Sequence, residues 1–307
     1  IKQVYPGRYE PERLVQMIKD HKVTFSHCVP TILQMVLNAE GAKDFDFGGM
    51  RVIIGGSALN RSLYNAAQAK GMQLGAAYGM SETCPLISAG YINLEDEAAS
   101  EEQRISQRIK AGVPGPLVEA RLMAADGSFL PKDGTTQGEL VLRAPWLTQA
   151  YFREPEKSQE LWAGGWLHTG DVATISPAGT IEIRDRIKDV IKTGGEWLSS
   201  LELEDRISRS PLVAEVAVVG IPDPRWDERP FALVVPAAGQ TVTAQAISDH
   251  LMPSVEEGHI NKWAIPRQIA VVSEIPKTSV GKLDKKRIRG DIAGWLESEA
   301  SCISSLD

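Results

Sequence analysis

The sequence predicts an α/β fold: part of a large domain, made of an α/β sheet and a small distorted β-barrel, followed by a smaller α+β domain. Three observations support this prediction. Apolar runs that end in glycine-rich loops come first, alternating strands with tight turns follow, and a compact mixture of strands and helices closes the chain. The expected limits are 1–105 for the α/β part, 106–186 for the barrel part and 187–307 for the last domain.

The first part alternates predicted helices and strands. Residues 11–22 have helical periodicity with Pro11 in the first turn, residues 23–30 form a short predicted strand, and residues 31–41 form a predicted helix stopped by Gly41. The segment MRVIIGG is a strand that ends in glycines, and MQLGAAYGMSET repeats that order. Because ligands of α/β sheets bind beyond the carboxyl ends of strands, we expect both loops to face one crevice.

In the rest of the chain the pattern of apolar and polar residues changes twice. From about residue 110, apolar and polar residues alternate around DG and PAG turns, which is typical of antiparallel hairpins. After residue 187, the segments LVAEVAVVGIPD, RPFALVVPA and PRQIAVVSEIP are predicted strands, and TAQAISDHLM is a predicted helix. The tail from Ser298 is small and polar, and we expect it to be loose.

Composition narrows the classes of function. The 307 residues are 43% hydrophobic and 24% charged, and the net charge of −7 argues against wholesale nucleic-acid binding. Three scattered cysteines form no disulfide framework or CxxC site, which favours a reducing compartment, and we expect a cytoplasmic location. No apolar run approaches the roughly 18–20 residues that span a bilayer. The chain opens without Met in mid-pattern, and we expect it to be a piece of a longer protein.

Four segments carry residues suited to chemistry, and the first is YGMSET at 78–83. Tyr78 offers an aromatic face, Gly79 a flexible backbone, Ser81 a hydroxyl and Glu82 a carboxylate, directly after a predicted strand. A nucleotide with its metal uses all four kinds of group. Taken alone, Tyr78 also fits a packing aromatic, and Glu82 also fits a solvated acid.

The second segment is HTGDVATISPAGTIEIRDRIKD, a predicted hairpin that turns at residues 177–179. Asp171 lies at its start, where a carboxylate can accept hydrogen bonds from vicinal hydroxyls, as ribose-binding acids do. Arg186 lies fifteen residues on, and pairing of the two strands would bring both side chains to the open end. A plain Asp–Arg ion pair across two strands fits the same pattern.

The third segment is IKTGGEWLSSLELED, in which Gly194 and Gly195 allow close backbone approach before a capped helix. A plain turn also fits. The fourth segment, PKTSVGKLDKKRIR, carries six basic residues between Lys277 and Arg289, with Asp284 as its only acid. A lysine on such a loop can neutralise charge that develops in a transition state. A solvated basic surface also fits, and the lack of interleaved aromatic residues disfavours a nucleic-acid patch.

In this order the four segments resemble one family, the adenylate-forming acyl-CoA synthetases, which include luciferases and the adenylation domains of peptide synthetases. The variants IKTGGEWLSSLELE, AGVPGPLVEARL and PWLTQAYFREPE look most like the medium- and long-chain fatty acyl-CoA synthetases. The resemblance covers essentially the whole chain. It implies that fatty acid, ATP and CoA are the substrates, with Mg²⁺ as cofactor, and that an acyl-AMP forms before the CoA thiol displaces AMP.

The resemblance also implies roles for individual residues. Tyr78 would stack on adenine, Asp171 and Arg186 would hold the ribose, and the full set of expected nucleotide-binding residues is Gly55, Gly56, Ser57, Tyr78, Gly79, Met80, Asp171 and Arg186. The expected catalytic residues are Lys282, Glu82 and Ser81, with Glu82 also the Mg²⁺ ligand. Ser81 stands where the family usually has threonine, and serine keeps the hydroxyl. The expected CoA-binding residues are Gly194, Gly195 and Trp197, and Lys188 falls on the hinge position.

One part of the family pattern is absent. No stretch resembles TSGTTGxPKG, the phosphate-binding loop, and we expect that loop upstream of Ile1. The chain alone is therefore expected not to make acyl-AMP at a normal rate. Two other functions stay open: an aryl-acid or amino-acid adenylating enzyme, against which the GGEW variant argues, and a non-catalytic binding or assembly module. The sequence leaves acyl-chain length, a homodimer and peripheral membrane contact open.

Overall fold

The computed structural model of the protein describes residues 1–90, 100–278, 281–297 and 302–305. It divides into two compact units, Ile1–Ile183 and Arg184–Asp307. The domain start expected at residue 187 lies three residues after that division.

The first unit opens with a mixed sheet flanked by helices. Its strands are β1 (Phe25–Cys28), β2 (Arg51–Ile54), β3 (Gln73–Tyr78), β4 (Ser88–Ala89) and β5 (Val113–Pro114), hydrogen-bonded in that order. Its helices are α1 (Pro11–His21), α2 (Pro30–Asn38), α3 (Arg61–Gln68) and α4 (Glu101–Arg108). The strand–loop–helix order predicted for this part is confirmed.

Parallel pairing sets where the first two candidate loops lie. β1, β2 and β3 run parallel, and Ile54 of β2 pairs with Ala76 of β3. The loops that begin at Gly55 and Gly79 therefore leave the same edge of the sheet, as expected. Buried side chains of β2 and β3, among them Val52 and Leu74, pack in one core with α3 and hold this edge in place.

The second helix ends before the glycine that was expected to stop it. α2 ends at Asn38, and Gly41 lies inside a separate 3₁₀ turn, Glu40–Ala42. The carboxylate of Glu12 on α1 accepts hydrogen bonds from the amides of Glu40 at 2.7 Å and Gly41 at 3.0 Å. This contact from another helix holds the chain in the turn, and a local pattern does not reveal it.

The rest of the first unit is an antiparallel sheet. Its strands are β6 (Glu119–Met123), β7 (Phe129–Leu130), β8 (Gly138–Arg143), β9 (Leu167–Ile175) and β10 (Ile181–Arg186), with α5 (Pro155–Leu161) before β9. The last three residues of β10 belong to the second unit. The hydrogen-bonded order is β10-β9-β8-β6-β7, so the predicted hairpins are confirmed. Within the described residues the edges β10 and β7 do not pair, and the expected barrel is represented by this five-stranded sheet.

The second unit is a compact α+β structure, as predicted. Its strands are β11 (Ile191–Thr193), β12 (Glu196–Leu198), β13 (Val213–Asp223), β14 (Asp227–Pro236), β15 (Gln268–Val271) and β16 (Cys302–Ser305). Its helices are α6 (Ser200–Ser208), α7 (Ala244–Glu256), α8 (Lys285–Gly290) and α9 (Ile292–Glu297). The long hairpin β13–β14 forms the centre of the sheet, and its two faces pack two apolar cores.

The tail from Ser298 was expected to be loose, but its residues 302–305 form an edge strand, while residues 298–301 and 306–307 lie outside the described residues. β16 pairs antiparallel with β15, with Ile303 opposite Ala270. Backbone hydrogen bonds can hold a strand whose side chains are small and polar, so the composition of the tail did not indicate it.

Candidate active site

A hydrogen bond between the two sheets of the first unit forms the centre of the candidate site. The hydroxyl of Tyr78, the last residue of β3, donates to Oδ2 of Asp171 at 2.6 Å. Asp171 lies on β9 and is 4% exposed, and its amide lies 3.1 Å from Oγ1 of Thr169. The structure therefore brings together the aromatic residue and the acid that the sequence assigned to the nucleoside, although they lie 93 positions apart.

The YGMSET segment is folded into a tight turn by two residues. A Cβ on Gly79 would lie 1.7 Å from the carbonyl oxygen of Pro85, so only glycine fits there. The buried Thr83 hydroxyl oxygen lies 2.9 Å from the amide of Met80, which donates to it, and 2.9 Å from the carbonyls of Met80 and Pro85. Ser81 is exposed at the top of the turn. Sequence reasoning did not identify this role of Thr83. Its position three residues after Met80 is the only local pattern that could have indicated the turn-closing hydrogen bond.

A second segment, residues 146–151, holds the same turn from outside. The amide of Thr148 donates to the carbonyl of Glu82 at 2.9 Å, and Nε1 of Trp146 donates to the carbonyl of Thr83 at 3.1 Å. The hydroxyl of Tyr151 donates to Oε1 of Glu82 at 2.7 Å. That hydrogen bond to a carboxylate, helped by burial, raises the pKa of Tyr151 to about 12. The hydroxyl therefore stays a donor at neutral pH, a role that the sequence did not indicate.

The carboxylate of Glu82 suits a magnesium ion carried by a nucleotide. Its Oε1 accepts from Tyr151, while Oε2 has no hydrogen-bond partner among the described residues. Mg²⁺ keeps several waters and takes one or two carboxylates together with substrate phosphates. The described part of the chain holds no cluster of three or more His, Cys, Asp or Glu side chains that could bind a metal ion, so a metal site made of protein ligands alone is not seen there.

The glycine loop after β2 adds backbone to the same sheet edge. The amide of Gly55 donates to the carbonyl of Cys28 at 3.2 Å, which continues the β1–β2 pairing by one residue. Gly56 has a φ of +79°, a conformation that favours glycine, and Ser57 is exposed. The loop thus presents polar backbone groups rather than bulky side chains.

The segment that carries Asp171 is anchored by a carboxylate on the neighbouring strand. Oε1 of Glu139, on β8, accepts from the amide of Gly170 at 3.0 Å, and its Oε2 lies 2.9 Å from Nδ1 of His168. Nε2 of His168 lies 3.1 Å from the carbonyl of Ala163. These contacts fix the backbone on the N-terminal side of Asp171, and no local pattern indicates this role of Glu139.

The remaining sequence-predicted residues lie in the second unit. Arg186 ends β10, Lys188 lies in the turn that follows, and both are exposed. Gly194 and Gly195, with φ of +58° and +84°, form the two-residue turn between β11 and β12, and Trp197 is 57% exposed. Positive φ at both positions matches a type I′ hairpin. The expected turn is confirmed, and its role in CoA binding stays a prediction.

The helix predicted after this turn is capped as expected. α6 begins at Ser200, and the side chain of Ser199 accepts a hydrogen bond from the amide of Glu202 at 3.0 Å. Such a cap satisfies one of the amides that the first helical turn leaves unpaired.

The basic run at 277–289 is only partly a solvated surface. Lys282 is half-buried. Three other cations form ion pairs within the second unit: Lys277 with Glu215 at 3.0 Å, Lys285 with Glu204 at 2.7 Å, and Arg289 with Asp189 at 2.6 Å. Charge counting along the sequence could not show these partners. The expected catalytic role of Lys282 stays a prediction.

Family models match most of this architecture. The AMP-binding enzyme model matches residues 2–152, and the model of the AMP-binding enzyme C-terminal domain matches residues 202–282. Together the two models cover more than half of the 307 residues.

In the described residues, no helix combines the length and apolarity needed to cross a membrane.

Individual relatives agree with the family models. The long-chain-fatty-acid–CoA ligase of Thermus thermophilus is 38% identical over 293 residues, which cover 94% of this chain and 53% of the relative. The peroxisomal benzoate–CoA ligase of Arabidopsis thaliana is 33% identical, over 92% of this chain and 50% of the relative. The amide bond synthetase McbA from Marinactinospora thermotolerans superposes with a TM-score of 0.79 at 27% identity, over 92% of this chain and 55% of that chain. The chain thus spans about half the length of the relatives it matches.

Replacing Gly79 by alanine tests the tight turn. The new Cβ would overlap the Pro85 carbonyl, so we expect Gly79→Ala to lower the free energy of unfolding by about 3 kcal/mol or more. Gly115→Ala is the matched control, because its Cβ would lie 3.5 Å from the Ile87 carbonyl, and its effect should stay within about 1 kcal/mol. Urea unfolding followed by fluorescence measures both, and equal effects would contradict the packing described here.

Tyr151→Phe tests the hydroxyl bond to Glu82. Because the folded-state pKa of about 12 lies above the ordinary 10.0, the hydroxyl contributes its full stability below pH 10 and loses it as the pH rises towards 12. We expect wild type to exceed Tyr151→Phe by about 1 kcal/mol at neutral pH, the lower end for a hydrogen bond to a charged group because the pair is partly exposed. Urea unfolding at a series of pH values measures the difference. Tyr9→Phe, at an exposed site, should match wild type throughout, and a pH-independent gap for Tyr151→Phe would refute the assignment.

Proposed function

Because this chain belongs to the family of AMP-binding enzymes, we propose that it supplies the nucleoside-, metal- and CoA-binding half of an ATP-dependent fatty acyl-CoA ligase. The observation that supports this most directly is the hydrogen bond of Tyr78 to Asp171, next to the turn that carries Glu82. An aromatic face, a buried carboxylate and an available carboxylate oxygen are the groups that adenine, ribose and a phosphate-bound metal require.

The proposed reaction has two displacements. A fatty carboxylate oxygen attacks the α-phosphorus of ATP, the bond to the β-phosphate oxygen breaks, and pyrophosphate leaves. The CoA thiol then loses its proton and attacks the acyl carbonyl, and AMP leaves as the acyl–oxygen bond breaks. Both steps place charge on phosphate oxygens, so preorganised positive charge is the main contribution that the protein can make.

The chain's own residues have distinct parts in this scheme. Tyr78 stacks on the adenine, Asp171 accepts from the ribose hydroxyls with Arg186 assisting, and the Ser81 hydroxyl donates to the α-phosphate. Glu82 would hold a magnesium ion, which would neutralise charge on the phosphates. Lys282 supplies a second positive charge during the first displacement.

The second displacement needs a different set of groups. The CoA arm passes the Gly194–Gly195 turn, whose glycines leave room for it, and Trp197 contacts the CoA or nucleotide side. We infer that the second unit rotates about Lys188 between the two steps, which removes Lys282 and presents the glycine turn, a hinge movement of known type.

The choice of a fatty acid rests on similarity. The GGEW variant and the Thermus thermophilus fatty-acid ligase favour it, whereas the likeness to a benzoate ligase keeps an aryl acid as the second candidate. The exposed free thiol of Cys84 suits a reducing cytoplasm. Adenylation assays on the complete polypeptide with octanoate, palmitate and benzoate separate the two, and a preference for benzoate would reject the fatty acid.

Nucleoside binding by the 307-residue chain tests the site itself. We expect isothermal titration to give AMP a Kd of about 1 mM or lower, and Asp171→Asn to weaken it by about tenfold, because the ribose loses a charged acceptor. Asp126→Asn, on an exposed turn, is the matched control and should leave the Kd unchanged. If the chain binds none of AMP, CoA or an acyl-AMP analogue, the non-catalytic assembly module becomes the better account.

Pyrophosphate release tests what the chain can do alone. Since no phosphate-binding loop occurs in these 307 residues, we expect ATP, Mg²⁺ and octanoate or palmitate to give less than about 1% of the rate of the complete polypeptide. Robust turnover by the 307-residue chain would show that its own residues grip the phosphates.

A further inference from the structure

The helix α8 follows the candidate catalytic lysine directly. The carbonyl of Lys282 accepts from the amide of Thr278 at 2.7 Å, and the amide of Lys282 lies 3.2 Å from Oγ1 of Thr278. We call residues 276–278 and 281–284 the lysine loop. Its last residue, Asp284, caps the first turn of α8 with its side chain. The position of Lys282 therefore depends on where α8 is held.

Lys285 is a buried cation at the start of α8, with only 9% of its surface exposed. Its Nζ donates to Oε1 of Glu204 at 2.7 Å and to Oγ of Ser200 at 2.6 Å. The Ser200 hydroxyl in turn donates to Oδ2 of Asp185 at 2.7 Å. The positive charge of Lys285 thus stabilises two buried carboxylates, Asp185 and Glu204. Burial raises the pKa of both groups, and the charge of Lys285 acts in the opposite direction. Removing it would leave both carboxylates without their counter-charge.

Arg289 makes the corresponding contact one turn further along α8. Its Nη1 lies 2.6 Å from Oδ1 of Asp189, and the two side chains are 28% and 11% exposed. Residues four apart share a helix face, so Lys285 and Arg289 point in the same direction. Asp185, which Lys285 reaches through the Ser200 hydroxyl, and Asp189, which Arg289 contacts directly, are also four apart and lie on either side of Lys188.

We propose that Lys285, acting through Ser200, and Arg289 are positioning residues, which connect α8 to the two ends of residues 185–189, so that this turn and the lysine loop move as one rigid body. The proposal rests on the proposed function for the roles of Lys188 as hinge and Lys282 as catalytic lysine. A rigid connection returns the ammonium group to the same place after each rotation, and misplacement of about 1 Å is enough to lose most of its effect.

The neighbouring Lys286 provides an internal comparison. It lies on the same helix, carries the same charge and is exposed. If the basic run acted only as a positive surface, Lys285 and Lys286 would be equivalent. The rigid-body proposal predicts that they differ.

Amide hydrogen exchange on the 307-residue chain tests the connection without relying on catalysis. We expect the amides of Thr278, Lys282 and Asp284 to exchange about tenfold or more faster in Lys285→Met, and at the wild-type rate in Lys286→Met. Lys285→Arg, which keeps the cation, should restore most of the protection. The proposal is overturned if these loop amides keep their protection in Lys285→Met.

The variant Arg289→Gln distinguishes a local effect on the lysine loop from general unfolding of the second unit, which Lys285→Met alone does not distinguish. Because Arg289 is partly exposed, we expect its loss to speed loop exchange by about threefold while the amide of Leu233, in the buried sheet, keeps its protection. Faster exchange at Leu233 to the same extent as in the loop would show a merely structural role and overturn the proposal.

Separate assays of the two displacements, on the complete polypeptide, link the connection to Lys282. Arg289→Gln should slow acyl-AMP formation by about tenfold with the ATP KM within about twofold, and leave thioester formation from supplied acyl-AMP within about twofold. Lys286→Met should leave both rates unchanged, and equal losses in the two variants would overturn the proposal. If the unaltered polypeptide makes no acyl-AMP, the proposed function fails, while the exchange result still decides whether the two segments move together.

Discussion

The hydrogen bond from Tyr78 to Asp171 is the contact on which the candidate site depends, because it joins two sheets that share no strand. Each partner is held by its own sheet: Tyr78 ends a strand of the first, and Asp171 lies on a buried strand of the second. A hydrogen bond to a carboxylate that is largely shielded from solvent is strong and directional. The distance between the Tyr78 hydroxyl and the Asp171 carboxylate is therefore set by the fold rather than by mobile loops.

The residues around this contact restrain it from several directions. Thr83 closes the turn after Tyr78 from within, Tyr151 fixes the Glu82 carboxylate from a distant segment, and Glu139 anchors the backbone next to Asp171. Preorganisation of this kind removes the entropy cost of ordering polar groups when a ligand binds. The second unit has contacts of the same kind, since Lys285 binds Ser200, whose hydroxyl binds Asp185, and Arg289 lies against Asp189.

The sequence was informative where the physics is local. Helix and strand periodicity, the Gly194–Gly195 turn and the serine cap of α6 depend on neighbours within a few residues, and all were found as predicted. The supporting residues Tyr151, Glu139 and Lys285 were missed, because their partners lie far along the chain. A tyrosine 69 positions from Glu82 and a lysine 85 positions from Ser200 leave no local pattern. The early end of α2 has the same cause, a carboxylate on another helix.

The span of 93 positions between Tyr78 and Asp171 has a consequence for synthesis of the protein. During translation the ribosome releases the chain from its N-terminal end, so β3 and its glycine turn emerge long before β9 exists. Closing so long a loop also slows folding, because the entropy cost is met before the contact forms. In the nascent polypeptide the Tyr78 hydroxyl therefore has no Asp171 partner until β9 has been made, although β3 can already pair with β2 and β4 of its own sheet.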